Sequence, residues 1–173
     1  MARLLTLIAA LTLLLGMAST VAADDPEITY QRIHSLVASH DNRITLRVWE
    51  DGRMEMRYPV YTSRAGHYRH RLLAAEKDEL ASILSTLPET SESELLEQVR
   101  SARGDELFLI SDADRVVFHV RHVHRSDIRL NVPGPDALAR AMPGIAEVEA
   151  IVSAEKAVHE WMDRQRARAE RLP

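Results

Sequence analysis

Residues 43–58, RITLRVWEDGRMEMRY, constrain the fold more than any other stretch. Ile44, Leu46 and Val48 alternate with Arg43, Thr45 and Arg47, and Met54, Met56 and Tyr58 alternate with Arg53, Glu55 and Arg57. A period of two on both sides of a glycine is the pattern of two half-buried strands joined as a hairpin. A two-residue Asp51-Gly52 loop would set Val48 opposite Glu55 and mix the faces. A three-residue loop, Glu50-Asp51-Gly52, sets Val48 against Met54, Leu46 against Met56 and Ile44 against Tyr58. It also puts Gly52 at the left-handed bulge position that this loop length requires. Arg47 then meets Glu55 and Trp49 meets Arg53 on the outer face, both favourable cross-strand pairs.

The remaining segments extend this into a mixed fold. Tyr58-Pro59-Val60-Tyr61 reads as an extended strip, because Pro59 cannot donate to a central ladder. Ser63 to Gly66 reads as a turn. His67 to Leu73 reads as a third strand with Tyr68, His70 and Leu72 on one side. Leu80, Ile83, Leu84 and Leu87 mark an amphipathic helix stopped by Pro88. Ser91-Glu92-Ser93-Glu94 is a capping box for a second helix that ends at Gly104. Glu106 to Ser111 and Arg115 to His124 suggest another hairpin, Ile128 to Val132 a short strand, and Asp136 to Met142 a brief helix. Pro143 opens a long helix expected to run to the end of the chain. The expected fold class is α+β, with an antiparallel sheet of about five or six strands, two mid-chain helices and a long C-terminal helix. Residues 24–42 read as an N-terminal helix opened by Asp25-Pro26, or as a loose arm, and 43–173 as one domain.

The first 23 residues read as an address rather than as structure. Arg3 supplies a positive start, Leu4 to Leu15 an apolar run, and Val21-Ala22-Ala23 the small residues of a signal-peptide cleavage site. Cleavage after Ala23 implies a periplasmic or secreted product with no membrane anchor. The chain has no cysteine, so neither a disulfide nor a lipid-bearing cysteine can hold it. Losing the leader removes Arg3 and no acid, moving the net charge from −4 to −5. That balance disfavours nucleic acid as a partner. The preference for arginine over lysine, with only Lys77 and Lys156 present, fits a GC-rich bacterial source.

The stretch DGRMEMRYPVYTSRAGHYRHRLLAAEKDELASIL, residues 51–84, resembles small exported proteobacterial proteins through Gly52, Pro59, Tyr61, Gly66 and Tyr68. These are turn and packing residues. The resemblance implies a shared architecture and carries over no functional residue.

Candidate chemistry is sparse. On a strand, His122 and His124 continue the face of Val116, Phe118 and Val120, while His119 lies opposite. His122 and His124 can approach one metal ion, with His70 as third ligand and Asp127 as the nearest carboxylate. Arg121, Arg125 and Arg129 oppose a divalent cation, and the plainer reading is a strand whose edge reaches water. Imidazoles among arginines also suit pH sensing, against a plain reading of passive titration. Ser63 with His67 or His70 is a hydroxyl–imidazole pair without an orienting acid. No G-x-S-x-G, H-E-x-x-H, glycine-rich phosphate loop or cysteine nucleophile is present. His159-Glu160 lacks a zincin's second histidine and reads as a solvated helix face. Arg164, Arg166, Arg168 and Arg171 suit an acidic partner or simply a solvated helix end, where positive charge favours the macrodipole. The expected function is non-catalytic binding of a protein or small ligand, without a cofactor, through a sheet face or the tyrosines Tyr58, Tyr61 and Tyr68. The alternatives are a metal-binding protein using His70, His122 and His124, and a Ser/His hydrolase.

Overall fold

The computed structural model describes residues 25–38, 40–103, 113–121 and 127–173. The strands are β1 (Ile28–Ile33), β2 (Arg43–Val48), β3 (Arg53–Tyr58), β4 (Gly66–Arg71), β5 (Arg115–Val120), β6 (Ile128–Pro133) and β7 (Glu170–Leu172). They form one antiparallel sheet in the order β6-β5-β1-β2-β3-β4-β7. The helices are α1 (Ala74–Leu84), α2 (Glu92–Arg103), α3 (Pro135–Ala141) and α4 (Ala146–Arg166). The α+β class holds, with seven strands among the described residues where about five or six were expected.

The β2–β3 hairpin has the register that its faces demand. Val48 pairs with Met54, Leu46 with Met56 and Arg47 with Glu55. The Gly52 N–H donates to the Trp49 carbonyl at 3.0 Å, and Gly52 sits at φ 82°. The Arg53 guanidinium lies 4.9 Å from the Trp49 ring centroid. Inward side chains of the sheet, including Tyr30, Leu46, Met54 and Phe118, join Leu80, Leu95, Ile151 and Trp161 of the helices in one core. The capping box opens α2 as expected: the Glu94 N–H donates to Ser91 Oγ at 3.2 Å, and the Ser91 N–H to Glu94 Oε2 at 2.7 Å.

Four expectations are corrected. Residues 28–33 are neither helix nor arm but a strand at the centre of the sheet, with β2 on one side and β5 on the other. β1 thus belongs to the same sheet as the β2 and β3 strands. The chain turns at Val60 and Tyr61 instead of continuing as an extended strip, with the Thr62 N–H donating to the Pro59 carbonyl at 3.0 Å. Both sides of β5 are taken, by β1 and β6, so residues 115–120 have no free edge for a hairpin partner. The other half of that expected hairpin, Glu106 to Ser111, lies outside the described residues, as do Gly104 and the leader. Finally, α4 ends at Arg166 and the chain returns as β7 against β4.

Candidate functional site

Helices cover one face of the sheet; the other is lined by alternate residues of β1 to β7, and arginine dominates it. Arg43, Arg47, Arg53, Arg69, Arg71 and Arg129 are exposed there. Two acids, Glu55 and Glu170, share the face on the strands, and Glu55 is engaged by Arg69 at 3.1 Å. A chain that is negative overall therefore carries a positive surface on one side, a separation that steers anions toward it.

A hollow of about 370 Å³ lies in the middle of this face. Thr45 is in its lining and is only 8% exposed. It stands in register between Gln31 of β1 and Arg57 of β3, with Arg43 and Arg47 two residues away on its own strand. Asp41 holds the Arg57 guanidinium at 2.6 Å, and the same carboxylate accepts the Val60 N–H at 3.0 Å. Arg43 and Arg47 make no ion pair or side-chain hydrogen bond among the described residues.

A second polar cluster is built into the helix-covered side, where β1 meets α4. Arg32 Nη1 donates to Glu155 Oε1 at 2.9 Å and its Nε to Asp114 Oδ2 at 3.0 Å. Its Nη2 reaches Asp136 Oδ2 at 3.3 Å. One guanidinium thus ties together α4, the start of β5 and the first turn of α3. Tyr30 Oη donates to Glu155 Oε1 at 3.1 Å and lies 2.6 Å from His159 Nε2. While Glu155 is ionised it accepts the phenol proton, so the short contact requires His159 Nε2–H to donate to Tyr30 Oη. His34 Nδ1 sits 3.0 Å from Asp114 Oδ2 and packs edge-on against Tyr61.

Burial governs the protonation of this cluster. It pushes the His159 imidazole down to about 4, helped by the cations Arg32 and Arg64 and opposed by Asp163. It also raises the Glu155 carboxyl, against the pull of Arg32 and Tyr30, and holds the Tyr30 phenol well above its ordinary range. A neutral imidazole beside two guanidiniums is a poor proton acceptor. The arrangement fastens α4 to the sheet through Arg32 and Tyr30.

The expected site residues are dispersed. Tyr58 and Tyr68 do meet, with ring centroids 6.0 Å apart, but as buried members of the core, and Tyr61 alone of the three is exposed. The tyrosines therefore present no common surface. His70 points to the helix side, 3.8 Å from Glu76, whereas His67 points outward from the same strand. Ser63 bonds to neither imidazole among the described residues. His122 and His124 lie outside the described residues, and among those described no three side chains gather as metal ligands. The C-terminal arginines are used internally: Arg164 pairs with Glu79 at 2.6 Å, and Arg168 with Glu76 at 2.7 Å.

The Arg32 cluster escaped the sequence reading, although one signal for it exists. Glu155 falls in the buried stripe of α4, between Ile151 and Val158. A carboxylate in such a stripe demands a buried cation.

No protein-family model matches the chain, and neither the curated proteins nor the solved structures contain a significant relative.

Proposed function

We propose that the chain is an exported, non-catalytic binding protein that takes an anionic ligand on the open face of its sheet. The observation that carries this reading is the hollow around Thr45, where Arg43 and Arg47 stand without an ion pair among the described residues. Like charges placed together on a folded surface cost stability through mutual repulsion. A binding surface for anions gives the grouping a use. The periplasmic or secreted destination rests on Arg3, the apolar run to Leu15 and Val21-Ala22-Ala23. The non-catalytic assignment is supported by the low proton affinity of His159 and by the isolation of Ser63 from the imidazoles. The reading uses no cofactor.

Isothermal titration calorimetry of the purified protein with citrate and with glycerol 3-phosphate tests the binding site. Binding should weaken as salt rises and vanish in an Arg43→Ala/Arg47→Ala variant, while Arg164→Ala on the helix side leaves it intact. Undiminished anion binding by the double variant, or no binding of either anion by the unaltered protein, refutes the assignment. Export is checked separately by the mass of the product in the periplasmic fraction, expected to start at Asp24.

A further inference from the structure

The hollow has a narrower chemistry than general attraction for anions. On a strand rising about 3.3 Å per residue, the Cα atoms of Arg43 and Arg47 lie roughly 7 Å to either side of Thr45. Arg57 is one strand spacing away, at about 5 Å. Three arginines therefore line the hollow around one threonine that is almost fully buried. Glu55, the register partner of Arg47, is turned to Arg69, and Arg57 is steadied by Asp41.

We propose that this hollow is a site for a phosphomonoester carried on a small polyol, an inference that rests on the anion-binding reading above. A monocarboxylate offers two oxygens and one negative charge, which a single guanidinium fork satisfies, so one of the two arginines without an ion pair among the described residues, Arg43 or Arg47, would stay unmatched. A phosphomonoester brings up to two charges and three terminal oxygens, enough to engage Arg43, Arg47 and Arg57 together and still accept from the Thr45 hydroxyl. The hollow, at about 370 Å³, exceeds what a phosphate group fills. Gln31 and His67, in the same cross-strand row as Thr45, line it too, together with His40, Glu55, Met56, Tyr68 and Leu172. The amide of Gln31 and the imidazole of His67 donate to and accept from hydroxyls, while Met56 and Leu172 offer apolar surface to the carbons that bear them, the mixed chemistry of a small polyol.

Calorimetry at fixed ionic strength with glycerol 3-phosphate, inorganic phosphate and glycerate, a monocarboxylate on a similar polyol, decides the matter. Glycerol 3-phosphate should bind about tenfold or more tighter than either of the others, a gap of at least ~1.4 kcal/mol. Thr45→Val keeps a β-branched residue in the strand and should weaken the phosphate ester severalfold without changing glycerate. Arg47→Lys preserves charge but removes the fork, and should do the same; circular dichroism of both variants verifies that the sheet is intact. Glycerate binding as tightly as glycerol 3-phosphate overturns the phosphomonoester class and leaves the anion-binding face standing. Equal affinity for inorganic phosphate overturns the polyol body. Phosphate-ester binding unchanged in both Thr45→Val and Arg47→Lys overturns the site itself. No binding of any anion overturns this inference together with the reading beneath it.

Discussion

His159 gives the fold an acid-sensitive joint, and its size follows from the surroundings of the ring. The imidazole is about a quarter exposed and titrates near 4 in the folded chain, against 6.5 when free. Its proton affinity is lower folded than unfolded, so the unfolded state takes the proton first. The stabilisation is complete above pH 6.5 and is lost as pH falls from there toward 4. A displacement of 2.5 units at 1.36 kcal/mol each limits the effect to about 3 kcal/mol, of which about 2 kcal/mol is gone by pH 5. Glu155 acts with the opposite sign. Its raised carboxyl affinity lets the folded chain gain a proton early, and that contribution is lost as pH rises through its folded value. It therefore softens the lower end of the transition. Asp51, Glu76 and Glu94, all held below their ordinary range by backbone N–H donors, lose their contribution at still lower pH. Urea denaturation of the unaltered protein and of His159→Gln at pH 7.5 and pH 5 isolates the imidazole, since glutamine can still donate to Tyr30 but does not titrate. The unaltered protein should lose about 2 kcal/mol more than the variant over this interval, or roughly 4–8 °C in melting temperature for a domain of this size. Equal losses in the two proteins would show that burial of His159 does not govern the acid response.

Other substitutions probe the joints around it. Arg32→Ala leaves Glu155 buried without its cation and should cost about 3–5 kcal/mol by denaturant titration; Arg32→Met combined with Glu155→Leu should cost distinctly less than the two single changes summed. Gly52→Ala places a Cβ 3.1 Å from the Leu72 carbonyl oxygen at φ +82°, and should destabilise by more than about 1 kcal/mol. Ser91→Ala removes the acceptor of the Glu94 N–H and should cost about 0.5–2 kcal/mol, read as a lower melting temperature.

What could be read from the residues follows the range of the forces involved. The β2–β3 hairpin and the Ser91 cap are local: alternation on both sides of Gly52 admits one register, and a capping box spans four residues. β1 was illegible because Arg32 occupies an inward position, breaking the alternation of Ile28 and Tyr30. Its partners Asp114, Asp136 and Glu155 lie more than eighty residues away in sequence. β7 was hidden for a different reason, since the alanines and arginines around it favour helix and only pairing with β4 overrides them. The outward pairing of Arg47 with Glu55 was legible as register, but the ion pair that Glu55 makes belongs to Arg69 on a strand whose position the hairpin could not give. The hollow around Thr45 needs five strands side by side, which no local pattern announces.

The central place of β1 has a consequence for how the chain comes to be folded. Tyr30 must wait for Phe118 to be synthesised before its strand is flanked on both sides. A growing chain therefore exposes an unsatisfied backbone edge and an oily stripe for most of its emergence. Contacts so remote in sequence slow closure of the sheet, so the later strands decide when the first one is sheltered.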